Sequence, residues 1–474
     1  MKSSVLIKNK IGNARCAVLG FGVSNIPLVE LLVECGNEVT VHDKNDFDKL
    51  DSRARALAEC GVRFVTGESY LDDINADIVF RSPGIRPDHE GIRRAVNNGA
   101  TLSSEMELFL ELTPATVLGV TGSDGKTTTT TIAYKLLAKE YENTDRKIYV
   151  GGNIGTPLLA RVGEMTERDI CVLELSSFQL FTMKRSPKRS VITNLSPNHL
   201  DWHRDMDEYI DAKTHIYKHG AEYLVTNGNN GACQDLQIDD GIKLSLFSAN
   251  YSYDDIVAKY KDKPEERSES AMFVHEGNIY RYYNNHVMRV LNINSILIPG
   301  KHNVENFMAA IALTWGMVSE PTIFKVAQTF TGVEHRFEFV REVDGVFYVN
   351  SSIDSSPSRT AAALSAFGEN RPIVICGGYD KNIPFAPLAK ALNEKAKAVV
   401  LTGATAEKIH SALQEENAQL DIRIEKDFEK AIRLARSIAQ KGDMVILSPA
   451  CASFDAFKNF MERGNKFKQI VNDF

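Results

Sequence analysis

The 474-residue sequence contains no long run of apolar side chains. No stretch approaches the roughly 18 apolar residues that a membrane-spanning helix requires. Residues 1–8 also lack the long apolar core that a signal peptide carries. We therefore expect a cytoplasmic protein that does not bind or enter a membrane.

Paired cysteines and excess positive charge are missing as well. The seven cysteines are scattered, odd in number and mostly inside apolar runs, and none has a CxxC or Cys/His spacing that suggests zinc. This usage predicts buried free thiols in a reducing compartment. With 55 basic against 62 acidic residues the formal net charge is −7, which argues against a nucleic-acid coat. We expect no nucleic-acid partner.

Strands and helices alternate along a chain that is too long for one hydrophobic core. The pattern predicts an α/β protein of three domains. Residues 1–106 are predicted to be Rossmann-like, residues 107–332 to form a mostly parallel sheet like that of P-loop ATPases, and residues 333–474 to be Rossmann-like again. Residues 229–298 show short alternating stretches that suggest surface strands or hairpins without chemistry.

A phosphate-binding turn is indicated by the stretch 121–130. It follows an apolar strand and precedes a helical run, so backbone N–H groups and a helix N-terminus would point at one spot. Lys126 would add a mobile positive charge and Thr127 a hydroxyl ligand for magnesium. Val120 stands where the strict P-loop pattern has its first glycine, so a plain turn with a solvated lysine is the alternative.

The first segment contains a weaker nucleotide signal. Gly20-x-Gly22-x-x-Asn25 is a dinucleotide fingerprint without its third glycine, and Asp43 ends the next strand, near the expected place of a ribose-binding acid. The pattern predicts a nucleotide or nucleotide-sugar site at these strand ends, with an ordinary tight turn as the alternative.

Two further stretches carry titratable groups in unusual places. Glu174 lies in an apolar strand, where a carboxylate needs a partner, either magnesium beside the phosphate loop or a salt bridge or helix cap. His199 and His203 have the spacing of a helical zinc site, but Leu200 replaces the general-base glutamate. His199 is therefore a candidate to join Glu174 at a metal, whereas His203 is assigned to packing or solvent.

Three polar residues are ambiguous from the pattern alone. Lys213 lies in an amphipathic helix, where the pattern predicts a surface lysine. Asn306, with Asn303, could contact a purine or ribose, or cap a helix. Arg336 could reach a phosphate or form a structural ion pair.

Taken together, the motifs resemble those of the Mur ligases over nearly the whole chain. The resemblance rests on Thr-Gly-Ser-x-Gly-Lys-Thr at 121–127, Gly-Asn-Ile-Gly at 152–155, Leu-Glu-Leu-Ser-Ser-Phe-Gln at 173–179, His199-x-Asp201, Gly-Lys-His-Asn at 300–303, His-Arg-Phe-Glu at 335–338 and Ser-Pro-Ala-Cys-Ala-Ser at 448–453. The last stretch is the most specific and looks like that of the member that adds D-glutamate.

The resemblance implies a reaction and its partners. ATP would phosphorylate the alanyl carboxylate of UDP-N-acetylmuramoyl-L-alanine, and D-glutamate would attack the resulting acyl phosphate to give a peptidoglycan precursor. Two magnesium ions would assist, and the protein would act as a monomer.

Roles for single residues follow from the same resemblance. ATP would contact Gly122, Ser123, Asp124, Gly125, Lys126, Thr127, Thr128, Asn306 and Arg336. The magnesium ligands would be Thr127, Glu174, His199 and a carbamylated Lys213, which replaces the surface assignment of that lysine. The catalytic residues would be Lys126, His199 and Lys213. The UDP-sugar would lie along Gly22, Ser24, Asp43, Gly84 and Asn153, and D-glutamate along Lys381, Ser453 and Phe460.

Four positions depart from the family pattern. Ser351 replaces an aspartate that would meet ATP, Ile353 replaces a lysine of some members, and Asp354 is a possible substitute for the lost acid. Asp124 replaces the usual asparagine of the phosphate loop and adds negative charge there. Two rival hypotheses stand beside an active D-glutamate ligase: a folylpolyglutamate synthase-like enzyme, and a non-catalytic protein that binds a nucleotide sugar.

Overall fold

The computed structural model describes residues 1–260, 270–298, 300–365, 367 and 371–474. These residues form two compact units, Met1–Thr329 and Phe330–Phe474. Three sheets are present, two in the first unit and one in the second. Within the described residues, no helix combines the length and apolar character needed to cross a membrane.

The first sheet has five parallel strands in the order β3-β2-β1-β4-β5. Its strands are β1 Cys16–Leu19, β2 Val39–Asp43, β3 Arg63–Thr66, β4 Ile78–Arg81 and β5 Thr101–Ser103. The helices of this segment are α1 Ser3–Ile11, α2 Asn25–Glu34, α3 Arg53–Glu59, α4 Glu90–Asn97 and α5 Glu105–Leu112. Both faces of β1 are buried, with Val18 in one apolar cluster and Leu19 in another. That burial on two sides explains why β1 is apolar throughout.

The second sheet has nine strands in the order β14-β13-β12-β11-β10-β9-β6-β8-β7. They are β6 Thr116–Thr121, β7 Ile148–Gly152, β8 Ile170–Glu174, β9 Arg189–Ile192, β10 Tyr223–Asn227, β11 Lys243–Ser248, β12 Ser270–His275, β13 Asn278–Tyr283 and β14 His286–Asn292. The accompanying helices are α6 Lys126–Glu140, α7 Ser177–Leu180, α8 Met206–Lys218, α9 Gly231–Gln234, α10 Tyr253–Tyr260, α11 Lys301–Leu313 and α12 Glu320–Ala327. The sheet is parallel from β7 to β12, and β13 and β14 add an antiparallel edge.

The third sheet has six strands in the order β15-β16-β20-β17-β18-β19, parallel except for the β15–β16 pair. The strands are β15 Glu338–Val343, β16 Val346–Asn350, β17 Ile373–Gly377, β18 Ala398–Thr402, β19 Asp421–Ile424 and β20 Met444–Leu447. The helices are α13 Pro357–Ser365, α14 Ala386–Lys395, α15 Ala406–Glu415, α16 Phe428–Ile438 and α17 Phe460–Asn472.

The predicted fold class is confirmed: the protein is α/β with mostly parallel sheets. The domain boundaries at 106/107 and 332/333 stay a prediction. Sequence reasoning missed the exposed edge strand β19, whose side chains mostly face water and so leave no apolar run. The prediction of buried thiols is confirmed for five cysteines but wrong for Cys60, which is exposed, and for Cys35, which is half-buried; all seven are free.

Candidate functional site

The phosphate turn lies between β6 and α6 and requires its glycines. Gly122 has φ 146° and Gly125 has φ 76°, conformations that side chains rarely adopt. A Cβ at Gly122 would lie 1.9 Å from Thr193 Oγ1, and one at Gly125 would lie 2.4 Å from Asn306 Oδ1. Gly125 precedes the 15-residue helix α6, so the helix N-terminus faces the turn. This geometry suits an anion.

Lys126 places its positive charge on this turn. Its Nζ donates to the carbonyl oxygens of Gly122 at 3.0 Å and Ser123 at 2.8 Å. The buried Ser123 hydroxyl lies 2.8 Å from Tyr209 Oη and donates to the Ser196 carbonyl. These contacts stabilise the turn. Asp124 is exposed, and its N–H donates to Asn194 Oδ1 at 2.9 Å. Thr127 and Thr128 stand half-buried in the first turn of α6.

Glu174 is the last residue of β8. It pairs with Val120 of β6, next to the start of the phosphate turn. Its side chain is 1% exposed. Oε1 accepts a hydrogen bond from Asn153 Nδ2 at 2.8 Å, whereas Oε2 has no hydrogen-bond partner among the described residues. Neither the salt bridge nor the helix cap considered above is formed there by the described part of the chain. A buried carboxylate oxygen without a partner is costly and suits a cation.

Lys213 lies in the middle of α8 and is only 1% exposed, so the prediction of a surface lysine from the pattern is wrong. It shares the buried stripe of Tyr209, Ala212 and Ile216, which have the i, i+3, i+4, i+7 spacing of one helix face. Its Nζ donates to the Gly122 carbonyl at 2.8 Å and Thr121 Oγ1 at 3.2 Å. Burial, reinforced by the charge of Lys126, lowers the pKa of this amine well below its ordinary value.

His199 lies in the loop between β9 and α8, with φ 55°. Its ring packs against Phe178 with centroids 4.8 Å apart. Desolvation, followed by the charge of Lys126, lowers the pKa of this imidazole. His203 is buried, with Nε2 2.9 Å from Ser177 Oγ, which agrees with the packing role assigned to it. Because His199 precedes α8, the two histidines do not form a helical zinc site.

The residues suit magnesium only in part. Across the described ranges, no three His, Cys, Asp or Glu side chains converge as a metal cluster. Glu174 Oε2, which has no hydrogen-bond partner within the described ranges, and the Thr127 hydroxyl are oxygen atoms of the kind that magnesium prefers as ligands. An ammonium group on Lys213 does not fit, because it can only donate hydrogen bonds.

Asn306 lies against the phosphate turn from α11. Its Oδ1 accepts from Thr129 Oγ1 at 3.2 Å, and its Nδ2 donates to Asn303 Oδ1 at 3.2 Å. The N-cap of α11 is Gly300, so neither asparagine takes that position. The side chain of Asn306 is thus fixed next to Gly125, where a nucleotide phosphate would lie.

Four of the five predicted UDP-sugar residues lie at the carboxyl ends of β1, β2 and β4. Gly22, Ser24 and Gly84 are exposed or half-buried there. Asp43 is buried instead, and its Oδ2 accepts from the Phe21 N–H at 2.7 Å. Asp43 therefore fixes the glycine turn after β1. The fifth predicted residue, Asn153, holds Glu174 through the hydrogen bond described above.

Sequence reasoning assigned no role to Asn25, which stands in place of the third fingerprint glycine. Its Nδ2 donates to the carbonyl oxygens of Leu19 and Gly20 at 3.1 and 2.9 Å. The amide therefore closes the turn at the start of α2. The sequence signal for this residue is that it replaces the third glycine of the fingerprint.

In the second unit, predicted residues lie at the carboxyl ends of β16, β17 and β20. Lys381 Nζ donates to the Ser355 carbonyl at 3.1 Å. Arg336 is exposed and forms an isolated antiparallel bridge with Val333. Ser453 is buried, and Phe460 begins α17 with its ring 5.8 Å from the His335 ring.

Arg463, to which the sequence assigned no role, organises this edge. It is 2% exposed and donates to Ser352 Oγ and to the carbonyls of Ser352, Cys451 and Ala452, at 2.9 to 3.0 Å. Every one of these acceptors belongs to the loops after β16 and β20. The guanidinium therefore joins those loops to α17.

Of the three departures after β16, Ser351 and Asp354 are buried. Ser351 Oγ accepts from the Phe337 N–H at 3.3 Å. Asp354 Oδ2 accepts from Ser448 Oγ at 2.9 Å, and burial raises the pKa of this carboxyl. Ile353 is half-buried between them. Asp354 thus contacts the loop after β20.

Two family models match the sequence. The Mur ligase middle domain matches residues 120–314, and the Mur ligase glutamate ligase domain matches residues 335–451. Together they span more than half of the chain.

Full-length relatives agree with these matches. The chain is 45% identical to the UDP-N-acetylmuramoylalanine--D-glutamate ligase of Ruminiclostridium cellulolyticum and 45% identical to that of Clostridium novyi, with 98% of each chain covered in both cases. The solved UDP-N-acetylmuramate-alanine ligase of Thermotoga maritima shares the fold, with a TM-score of 0.52 and 17% identity over 97% of this chain and 99% of that one. The Thermotoga maritima MurF ligase in complex with ADP gives a TM-score of 0.50 and 17% identity over 92% and 95%.

Proposed function

Since the chain belongs to the Mur ligase family, we propose that it joins D-glutamate to UDP-N-acetylmuramoyl-L-alanine in an ATP-dependent reaction. Relatives covered over 98% of their length carry the name of that ligase, which supports both substrates. In the structure, the proposal rests on one observation: a Glu174 oxygen that has no hydrogen-bond partner among the residues described lies buried beside a glycine turn that two lysines contact.

The phosphate turn would bind the ATP phosphates. Backbone N–H groups at the start of α6 and the charge of Lys126 would stabilise the negative oxygens, since phosphoryl transfer depends on positioning and charge neutralisation. The alanyl carboxylate oxygen attacks the γ-phosphorus, and the bond to ADP breaks. The product is an acyl phosphate. The ADP in the Thermotoga maritima MurF complex supports this use of the nucleotide.

Amide formation completes the reaction. The amine nitrogen of D-glutamate attacks the acyl carbon, the tetrahedral intermediate expels phosphate, and the nitrogen loses a proton. We assign Lys381, Ser453 and Phe460 to the D-glutamate side, where Lys381 offers a positive charge to a carboxylate. Arg336 is assigned to ATP.

Glu174 Oε2 and the Thr127 hydroxyl would hold magnesium, which supplies charge neutralisation at the phosphate oxygens when bound. We further propose that Lys213 acts as a carbamate together with His199 at a second ion. A low amine pKa favours the neutral, nucleophilic form. Its nitrogen would attack the carbon of carbon dioxide and lose a proton, so that a cation becomes an anion with two oxygen ligands.

We propose a monomer that acts in the cytoplasm, where these water-soluble nucleotides would be its substrates. Size-exclusion chromatography with light scattering tests the monomer. A measured mass of one chain supports the monomer, and a mass of two chains contradicts it.

Phosphate release from ATP tests the function. We expect release to require both UDP-N-acetylmuramoyl-L-alanine and D-glutamate, and L-glutamate to give background. Release with a folate substrate would favour the folylpolyglutamate synthase-like alternative. Background release with every substrate present, despite binding of the UDP-sugar, would favour the non-catalytic alternative and point to Ser351 and Asp124.

A further inference from the structure

Arg86 uses every N–H of its guanidinium. It lies between β4 and α4, two residues after Gly84, and is 24% exposed. Nε and Nη2 donate to the two oxygens of Asp88 at 3.0 and 2.9 Å. Nη1 and Nη2 donate to the two oxygens of Glu208 at 3.1 and 3.0 Å, and Nη1 also donates to the Trp202 carbonyl. A guanidinium has five N–H groups, so none is left for solvent.

The acceptors come from two places in the chain. Asp88 belongs to the same loop as Arg86, whereas Trp202 and Glu208 belong to the loop after β9 and the first turn of α8. The guanidinium carbon also lies 4.9 Å from the centre of the Trp202 ring. In return, Trp202 Nε1 donates to the Gly84 carbonyl at 3.0 Å. The two loops are therefore joined in both directions.

The loop after β9 and helix α8, which Arg86 joins to the Gly84 loop, also contact residues of the candidate site. Phe178 contacts both Trp202 and His199, each with a centroid distance of 4.8 Å. Tyr209 follows Glu208 on α8, its ring lies 4.8 Å from Lys213 Nζ, and its hydroxyl contacts Ser123 of the phosphate turn. Displacement of Glu208 would therefore move the groups around Lys213.

We propose that Arg86 is a positioning residue that couples the Gly84 loop, on the UDP-sugar side, to the loop and helix that carry His199 and Lys213. The inference rests on the proposed function for the identity of the two sides. Only arginine can make this connection, because its planar fork meets two carboxylates and a carbonyl at once, whereas a lysine ammonium is a point charge with three donors. Arg86→Lys therefore removes these paired contacts and keeps the charge. Arg204 also reaches Asp88 and Glu208, at 3.4 and 3.0 Å, but its side chain is 65% exposed and so adds little.

Trp202 offers a direct readout. The chain has two tryptophans, so Trp315→Phe leaves Trp202 as the sole indole. In that background we expect UDP-N-acetylmuramoyl-L-alanine to change the Trp202 emission. We expect Arg86→Lys to expose Trp202 to acrylamide quenching and to abolish that response. In steady-state assays Arg86→Lys should lower kcat by about tenfold, with a smaller change in the KM for ATP.

A second variant and a matched control keep the test decisive. Glu208→Gln should give the same loss, and combining it with Arg86→Lys should add little, because both break one connection. Arg161 pairs with Glu164 at 3.2 Å and lies 4.8 Å from the Tyr149 ring without contacting either loop. Arg161→Lys should therefore leave emission and kcat unchanged.

The outcomes separate the two proposals. A native kcat and a native Trp202 response in Arg86→Lys would overturn the coupling, as would fully additive losses with Glu208→Gln. Failure of the unmodified enzyme to bind or use UDP-N-acetylmuramoyl-L-alanine would instead overturn the proposed function.

Discussion

Buried charged groups are treated differently at the two candidate ligand regions. Around the phosphate turn, one Glu174 oxygen has no hydrogen-bond partner in the part of the chain that the structure describes, and the half-buried Lys126 and the buried Lys213 both donate to the Gly122 carbonyl. At the carboxyl edge of the third sheet, Arg463 and Asp354 are also buried, yet protein groups accept from Arg463 and donate to Asp354. We infer that a ligand completes the first region, whereas the buried charged groups of the second are already held by protein contacts. Substitutions should therefore cost activity at the first and stability at the second.

The largest expected effect is that of Lys126→Ala. Removing the ammonium that we propose neutralises phosphate charge should reduce turnover by on the order of 10³-fold or more. Phosphate release measures this loss, and an unchanged UDP-sugar affinity is the control. Near-native activity would refute the phosphate-turn assignment.

Lys213→Ala should also abolish most activity, by on the order of 10²-fold or more, if the buried amine carries a carbamate. Added short carboxylic acids should restore part of the rate, since they supply the missing oxygens. Lys218→Ala, on the exposed end of the same helix, is the control. Full activity without rescue would show that Lys213 is only structural.

Glu174→Gln should separate activity from stability. The amide keeps the shape but loses the anion, so activity should fall by about 10²-fold, while the ligand-free protein becomes more stable by about 1–3 kcal/mol. Thermal denaturation without ligand tests the predicted gain in stability. A less stable, fully active variant would contradict the distinction between the two regions.

Arg463→Lys should show the opposite behaviour. Loss of the guanidinium hydrogen bonds to loops after β16 and β20 should destabilise the second unit by about 3 kcal/mol. Urea denaturation of the full chain measures this change. An unchanged midpoint would mean that the edge is not a prebuilt scaffold.

The smallest effect on turnover is expected for Glu105, a buried acid outside both regions, where the change is one of stability. Burial raises the pKa of this carboxyl from 4.5 to about 7. The folded state then holds a proton that the unfolded state releases, so stability should fall as the pH rises from 4.5 to 7 and then level off. Glu105→Gln should be more stable by up to about 3 kcal/mol at pH 8 and neutral at pH 4. Equal pH profiles for both proteins would contradict this.

How far the sequence reaches is clear from single residues. The phosphate turn and Glu174 were predictable because a glycine turn after a strand and an acid in an apolar run are local signals. The burial of Lys213 was also present in the spacing of 209, 212, 213 and 216, but the charge of the residue argued against it. The hydrogen bond from the Phe21 N–H to Asp43 could not be predicted from the sequence, because it depends on how two loops meet in space.

The pairing of Arg86 with Glu208 has a consequence for ionic strength. Both side chains are mostly shielded from water, at 24% and 15% exposed, and mobile salt ions screen such pairs weakly. Binding of polyphosphate at the open turn should weaken as salt is added, while the surroundings of Trp202 stay constant. A salt titration that follows both polyphosphate binding and Trp202 emission therefore distinguishes an attraction that ions screen from a shielded ion pair that they do not.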